Sequence, residues 1–304
     1  MTHFSHPKLF AGPFLAIFLI VSVSVAAQPL SAAPARQPMP PAPPDAGGVA
    51  LDLPPLSPEV IESARRLYQS GLAQGNNPDS FILIGDSNDA QSRFFQAFST
   101  GNYTLGPYAY LQPVIDAYNA TGSFGAAYST SDHGMTLSTL MDPAFVNPAL
   151  CPQATSVLDC TLQRYQPSVA IIYMGTYDTC FAPFDVYRDN FERAMQLLTE
   201  RGVIAILTEY TVALDEGCWE DTPAYTAVIR EMAARYRMPW IELSAHVESL
   251  PQWGMESDGW HLSWPDDFHT SFAGGETLYG STQRELLTLQ MLYLLRRDVM
   301  GIGG

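Results

Sequence analysis

The chain has 304 residues and is acidic, with 31 Asp and Glu against 15 Lys and Arg and a net charge of -16. Hydrophobic residues make up 47% of it, which excludes general disorder and is enough for a large buried core. A surface this negative repels nucleic acid and anionic membranes, so neither is expected as a partner. It suits a neutral or cationic substrate, or simply solubility.

The first 33 residues have the pattern of a secretory signal peptide. Lys8 precedes an apolar run over residues 11–27, and small residues follow at 31–33. An uncleaved membrane anchor is the alternative, although the run is short for a span and contains Pro13. We expect cleavage and an extracytoplasmic protein with no stable membrane contact.

Residues 34–56 are rich in proline and predict an extended, disordered linker. The globular domain is predicted over residues 57–304. Ser57 has the character of a helix N-cap, and Pro58 suits the first helical position. This first helix should run to about Gly75.

Aliphatic runs then alternate with amphipathic segments. Strands are predicted at residues 81–85, loosely within 124–129, and at 169–174, 203–208 and 239–243. Helices are predicted at residues 186–201, 222–236 and 281–297. This alternation indicates an α/β fold with a parallel sheet and helices on both of its faces.

Four cysteines fit an oxidising compartment. We predict the disulfides Cys151–Cys160 and Cys180–Cys218, although four cysteines allow three connectivities. The C-x-x-C spacing common in zinc sites does not occur in the sequence. Its absence argues against a zinc site, and no metal or other cofactor is expected.

Polar clusters follow two of the predicted strands. Residues 85–87 (Gly-Asp-Ser) follow the first strand, and residues 175–178 (Gly-Thr-Tyr-Asp) follow the third. Both should lie at the carboxyl edge of the sheet, where ligands bind, with the serine near the start of the next helix. Residues 85–87 are also compatible with a plain turn and helix cap. Asp89 stands where the nucleophile elbow G-x-S-x-G has its second glycine, which argues against an α/β-hydrolase.

A serine nucleophile needs an imidazole base, and the base needs a carboxylate to orient it. Asp258 lies three residues before His261. Asp266 has the same relation to His269, so spacing alone does not choose between the two pairs. His246, after the fifth predicted strand, is either a third candidate or a core histidine.

Four short segments resemble, in their order along the chain, the sequence blocks of the SGNH (GDSL-type) hydrolases. They are Gly-Asp-Ser at 85–87, Gly-Met-Thr at 134–136, Gly-Thr-Tyr-Asp at 175–178 and Asp-Gly-Trp-His at 258–261. The resemblance covers about residues 78–297. It implies a flavodoxin-like three-layer α/β/α sandwich with a five-stranded parallel sheet. Members of this family are esterases, lipases, thioesterases and carbohydrate deacetylases, and they need no metal.

Carried over to this chain, the resemblance makes Ser87 the nucleophile, His261 the general base and Asp258 the residue that orients it. The backbone amides of Ser87 and Gly134 become two donors of the oxyanion hole. The third donor of the family is an asparagine side chain, and this sequence has Tyr177 in its place.

The departure at Tyr177 leaves three outcomes open. The phenol reaches the oxyanion, another donor such as Asn88 replaces it, or the protein is weakened or inert. Asp178, next in the chain, is interpreted as a helix cap or a ligand at the carboxyl edge of the sheet rather than as a catalytic residue.

The sequence thus predicts a secreted serine ester hydrolase, of the esterase, lipase or carbohydrate deacetylase type, that forms an acyl-enzyme on Ser87. Its substrate would be a small ester or an acylated carbohydrate. The alternative is a catalytically weak or inactive domain of the same fold that binds cell-surface glycan or another ligand. A metal-dependent hydrolase using Asp86, Asp258 and His261 is a third interpretation.

Overall fold

A computed structural model of the chain describes residues 51–90 and 94–302. The predicted signal peptide over residues 1–33 lies outside the described residues, as does the predicted linker up to residue 50. No helix in the described ranges is both long and apolar enough to span a membrane.

Residues 51–56, which the sequence assigned to the linker, pack against the domain. The side chains of Leu51 and Leu53 are buried in the core. Between them, the Asp52 N–H donates to the Gln290 side chain at 2.9 Å, and the Gln290 amide donates back to the Asp52 carboxylate at 2.9 Å. The packed region therefore begins before residue 57, because these leucines reach the core in spite of their proline-rich surroundings.

Strands and helices alternate along the described residues. The strands are β1 (Asn77–Gly85), β2 (Tyr103–Thr104), β3 (Pro167–Tyr173), β4 (Ile204–Thr208), β5 (Trp240–Ile241) and β6 (Thr270–Ser271). The α-helices are α1 (Pro58–Ala73), α2 (Gln96–Thr100), α3 (Gln112–Ala120), α4 (Leu137–Met141), α5 (Val157–Tyr165), α6 (Thr176–Phe181), α7 (Phe184–Glu200), α8 (Thr222–Tyr236), α9 (Leu243–Val247) and α10 (Gly280–Leu294). A π-helical turn over Leu295–Met300 extends α10.

Strands β1, β3, β4 and β5 form a parallel sheet in that order. Every residue of β3 is buried, as expected for a strand that is covered on both faces. Strands β2 and β6 pair separately, also in parallel. The predicted α/β class, a parallel sheet flanked by helices, is confirmed.

The predicted strand over residues 124–129 is not present, and the main sheet has four strands in the described residues instead of five. Hydroxyl side chains take its place along the edge of β1. Tyr128 Oη donates to the Phe81 carbonyl at 2.6 Å, and Thr130 Oγ1 donates to the Leu83 carbonyl at 2.6 Å. Because side chains satisfy these carbonyls, the segment meets β1 through an isolated backbone bridge instead of a ladder.

Helix α10 is buried along its whole length, although its sequence includes charged residues. Arg284 makes an ion pair with Asp89 at 2.6 Å. Glu285 accepts hydrogen bonds from the Phe95 N–H at 2.9 Å and from the Thr270 hydroxyl at 2.7 Å. The buried charges of this helix thus hold the segment after β1 and the segment at β6 against the core.

Both predicted disulfides are present. Cys151–Cys160 joins α5 to the chain just before it. Cys180–Cys218 joins α6 to the turn that precedes α8. The second bond therefore connects two segments that follow different strands of the sheet, β3 and β4.

Candidate active site

Ser87 lies in a tight turn at the carboxyl end of β1. The strand ends at Gly85, and the Asp89 N–H closes the turn onto the Asp86 carbonyl at 3.0 Å. A side chain at position 85 would overlap the Asp89 carboxylate, so the turn requires glycine there. The described residues just after Ser87 are not helical, and the next described helix begins at Gln96. The helix start predicted beside the serine is therefore wrong.

The Ser87 hydroxyl meets an imidazole from the far end of the sequence. Its Oγ lies 2.7 Å from His261 Nε2. On the other side of the ring, His261 Nδ1 lies 2.6 Å from Asp258 Oδ2. Hydroxyl, imidazole and carboxylate are thus joined in one hydrogen-bonded series, the arrangement found in serine hydrolase triads.

A local turn sets the Asp258–His261 pair. Asp258 Oδ1 accepts the backbone N–H groups of Trp260 at 3.1 Å and His261 at 3.0 Å, so the carboxylate is held before it meets the ring. Partial burial acts to raise the pKa of Asp258. The hydrogen bonds from His261 and from the two backbone amides outweigh this effect and hold its pKa below the usual range.

Asn88 joins the serine turn to the histidine loop. Its Oδ1 accepts the Leu262 N–H at 2.9 Å, and its side chain is buried. The Asn88 side-chain oxygen therefore links the serine turn to the loop of His261, and its NH2 group donates to Asp86 Oδ1 at 3.4 Å. The sequence offered this residue as a substitute oxyanion donor and gave no sign of the contact with residue 262.

The rival histidines lie elsewhere. His269 Nδ1 is 2.9 Å from the Asn102 side chain, and its Nε2 is 3.0 Å from the Thr104 hydroxyl. Its backbone N–H donates to Asp267 at 3.0 Å. His246 lies on α9, where burial lowers its pKa. The imidazole bonded to Ser87 is that of His261, which spacing alone did not distinguish.

Gly134 and Tyr177, assigned to the oxyanion hole by resemblance, lie against each other. Gly134 has a φ of +71°, and the Tyr177 ring lies 3.6 Å from the position that a Cβ of residue 134 would occupy. The ring also stacks on Phe181, with centroids 4.2 Å apart. The Tyr177 ring thus contacts both the loop of Gly134 and the ring of Phe181.

Asp86 connects this pair to the nucleophile. Its carboxylate accepts the Asn88 N–H at 3.0 Å and the Tyr177 backbone N–H at 3.4 Å. Burial raises the pKa of Asp86, and these hydrogen bonds oppose the change. The residue holds the start of α6, and so Tyr177, beside the turn that carries Ser87.

Asp178 holds the glycine loop from the other side. Its Oδ1 accepts the Leu137 N–H at 2.9 Å, where α4 begins just after the loop of Gly134. The side chain is fully buried, and this burial raises the pKa of Asp178 to about 7. Asp178 therefore caps a helix, as predicted, but the helix is α4, which lies elsewhere in the sequence.

Behind the serine turn, Asp89 pairs with Arg284, and both side chains are fully buried. The guanidinium lies between the rings of Phe94 and Tyr173, at 3.9 and 3.8 Å from their centroids. Burial raises the pKa of Asp89 to about 7, and the Arg284 charge opposes the increase. Asp89, which stands where the nucleophile elbow has its second glycine, thus joins the serine turn to α10 through its ion pair with Arg284.

The three residues considered for a metal site have separate roles. Asp86 accepts backbone amides, whereas Asp258 is bonded to His261. Within residues 51–90 and 94–302, no group of three or more His, Cys, Asp and Glu side chains is arranged to hold a metal ion.

No family model matches the chain, and no curated protein matches its sequence. The chain is similar to solved structures that include a lipase/acylhydrolase from Enterococcus faecalis, at 15% identity over 70% of this chain and 94% of that one, with a TM-score of 0.44. An acetylxylan esterase from Geobacillus stearothermophilus has 13% identity over 74% of this chain and 95% of its own, with a TM-score of 0.44. A GDSL-like lipase from Bacteroides thetaiotaomicron has 11% identity over 78% of this chain and 99% of its own, with a TM-score of 0.43. At such identities and TM-scores, the reaction has to be inferred from the side chains of the chain itself.

Proposed function

We propose that this chain is a secreted serine ester hydrolase that works through an acyl-enzyme on Ser87. The observation that supports it most is the pair of contacts made by His261, at 2.7 Å to the Ser87 hydroxyl and at 2.6 Å to the Asp258 carboxylate. A hydroxyl at ordinary pH is a weak nucleophile, and an oriented imidazole is what activates it.

In the first half of the reaction, Ser87 Oγ attacks the ester carbonyl carbon while its proton moves to His261 Nε2. Asp258 keeps Nδ1 protonated, so that Nε2 is the free acceptor, and it stabilises the imidazolium that forms. The imidazolium then gives its proton to the leaving alcohol as the ester C–O bond breaks. The acyl group remains on Ser87.

In the second half, a water molecule takes the place of the alcohol. His261 accepts a proton from the water as its oxygen attacks the acyl carbon. The proton then returns to Ser87 Oγ when the bond to the acyl group breaks, and the acid leaves.

The negative oxygen formed in each half needs hydrogen-bond donors. We assign this role to the backbone N–H groups of Ser87 and Gly134 and to the phenol of Tyr177. Two contacts support the third assignment. The Tyr177 ring lies against Gly134, and Asp86 fixes the Tyr177 backbone beside the serine turn.

Export is part of the same proposal. The apolar run at the N-terminus favours it, and the two disulfides fit an oxidising compartment. An exported protein would act on esters outside the cell.

Turnover of p-nitrophenyl acetate and butyrate by the wild type and by Ser87→Ala tests the proposal. We expect the substitution to lower kcat by at least about 10³-fold, because the nucleophile is lost. Ser99→Ala is the matched control, since Ser99 lies on α2 and its hydroxyl donates only to the Gln96 carbonyl. Equal rates for the wild type and Ser87→Ala would remove Ser87 from the mechanism.

The tyrosine at the third donor position favours one other function, a weak or inactive domain of the same fold that binds a glycan. In that case the wild type and Ser87→Ala would have the same low esterase rate. The wild type would also bind acetylated oligosaccharides without releasing acetate.

A further inference from the structure

The loop between β4 and α8, residues 209–221, packs on the histidine turn, residues 258–261. Two of its contacts reach the backbone of that turn. The Ala213 N–H donates to the Gly259 carbonyl at 2.7 Å. Gly259 has a φ of +78°, and a Cβ there would lie 2.9 Å from the Leu214 side chain. Leu214 therefore lies directly on the backbone of the histidine turn, at a position that requires glycine.

Two indole rings make the third contact, which extends to the imidazole. The Trp219 ring of the β4–α8 loop lies 6.0 Å from the Trp260 ring, measured between centroids. The Trp260 ring lies 3.8 Å from the His261 ring, with an angle of 37° between the two planes. Trp260 thus packs on a face of the imidazole, and Trp219 packs on Trp260 from the neighbouring loop.

A disulfide joins this loop to the helix that carries Tyr177. Cys218 precedes Trp219 in the chain and is bonded to Cys180 on α6. Tyr177 lies on the same short helix, and the Asp86 carboxylate accepts its backbone N–H at 3.4 Å beside the serine turn. The disulfide therefore connects the helix of the proposed oxyanion donor to the loop that contacts the turn of the proposed base.

The face of the imidazole matters for proton transfer. His261 is bonded to Asp258 through Nδ1 and to Ser87 through Nε2, and both contacts lie at the edges of the ring. Such contacts leave the ring free to tilt about the line between them, whereas a group packed on its face restricts the tilt. Because Nε2 serves the serine, the leaving alcohol and water in turn, a misplacement of 1 Å costs about 10²-fold in rate.

We propose that the Cys180–Cys218 bond is a positioning element of the active site, and this inference rests on the proposed esterase function. Through the β4–α8 loop and Trp219, the bond keeps the His261 ring in the orientation that proton transfer requires. When the bond is opened, the loop and its indole are released from α6, and the imidazole loses part of its support.

The two disulfides differ in exposure, so the proposal can be tested on the wild-type protein. Cys151 and Cys160 are each 4% exposed, whereas Cys180 and Cys218 are partly exposed. Reduction begins when a thiolate attacks a disulfide sulfur, so the more accessible bond reacts first. Dithiothreitol supplies the two electrons and two protons that convert the bond into two thiols, and it is itself oxidised to a cyclic disulfide.

Mild reduction with dithiothreitol, followed by iodoacetamide and peptide mass spectrometry, identifies the opened bond. We expect alkylation at Cys180 and Cys218 before Cys151 and Cys160, with an unchanged far-UV circular dichroism spectrum. Activity is measured on the reduced protein and again after reoxidation of a sample that was not alkylated, which should restore it.

Two acetate esters distinguish a misplaced base from a loss of folded protein. The p-nitrophenolate ion leaves without a proton, whereas the alcohol of ethyl acetate must take one from His261. We expect reduction to lower kcat/KM by at least about tenfold for p-nitrophenyl acetate and by at least about thirtyfold for ethyl acetate. Unfolding alone would lower both values by the same factor and leave their ratio unchanged.

Variants carry the same test whichever bond the reagent opens. Cys180→Ser with Cys218→Ser should lower the rate for ethyl acetate more than that for p-nitrophenyl acetate, and Cys151→Ser with Cys160→Ser is the matched control that should leave the ratio unchanged. Trp219→Ala keeps the disulfide and should change the ratio in the same direction. Trp219→Phe should keep most of the wild-type ratio, because an aromatic ring still packs on the indole of the histidine turn.

The outcomes separate this inference from the function on which it rests. If the oxidised protein cleaves neither ester in a Ser87-dependent way, the esterase function itself fails. If cleavage requires Ser87 but the ratio stays at the wild-type value without the Cys180–Cys218 bond, the disulfide has no positioning role and the esterase function stands. Should the variant without this bond not fold, Trp219→Ala decides, and a wild-type ratio there overturns the inference.

Discussion

Tyr177→Phe removes one hydroxyl from the proposed oxyanion hole and leaves the rest of the side chain in place. The phenylalanine ring can keep the position of the tyrosine ring against Gly134 and its stack on Phe181, with centroids 4.2 Å apart in the wild type. The variant therefore isolates the hydrogen bond that the phenol donates.

The size of the effect follows from the value of one oxyanion donor, about 10²–10³ in kcat, or about 3–4 kcal/mol. Tyr177 is only partly buried, so water competes with its hydrogen bond and the lower end of this range applies. We expect kcat for p-nitrophenyl acetate to fall about 10²-fold in Tyr177→Phe while KM changes little, because the bond forms mainly in the transition state.

Steady-state kinetics on three variants check this reasoning. Tyr165→Phe is the matched control, since it removes a phenol on α5 that bonds only to the Ala127 carbonyl. Tyr177→Asn restores a short amide donor but loses the stack, and it should be faster than Tyr177→Phe. A kcat for Tyr177→Phe within about threefold of the wild type would refute the phenol as a donor and leave the two backbone amides.

Two further predictions concern the stability of the folded domain. Replacing both cysteines of Cys180–Cys218 by serine should lower the free energy of unfolding by about 4 kcal/mol, and the same change at Cys151–Cys160 should lower it by about 3 kcal/mol. The first loss is larger because that disulfide closes a longer loop, with a sequence separation of 38 residues against 9. Urea unfolding measures both losses, and equal or reversed values would contradict the dependence on loop length. Burial raises the pKa of Asp178 to about 7, from an ordinary value of 3.8. The folded protein therefore keeps a proton that the unfolded chain releases, and stability falls as pH rises between about 4 and 7, by up to about 4 kcal/mol from this group. Asp178→Asn should remove that part of the slope in urea unfolding at pH 4 and pH 8, and an unchanged slope would show that Asp178 is ionised in the fold.

The sheet was predictable where the strands are buried. Strands β3 and β4 are fully buried, and both consist mainly of consecutive apolar residues because both of their faces are covered. Helix α8 matches its prediction over Thr222–Tyr236, since its amphipathic pattern is clear. The strand prediction for residues 124–129 was wrong because this segment contacts β1 through hydroxyl side chains, which strand propensity does not describe.

The site was predictable where it is local. Asp258 and His261 share one turn, so their spacing was informative. Spacing alone left His269 open, and the family resemblance favoured His261. In the structure the His269 imidazole contacts Asn102 instead. The contact between Asn88 and residue 262 joins distant parts of the chain and has no sequence signature.

Labelling with a fluorophosphonate probe, followed by peptide mass spectrometry, tests the esterase account most directly. The probe bonds to a serine only where a neighbouring base activates it. We expect one equivalent on the peptide that contains Ser87, none in Ser87→Ala, and much slower labelling in His261→Ala. An unlabelled Ser87 in the folded wild-type protein would contradict an activated nucleophile at this position.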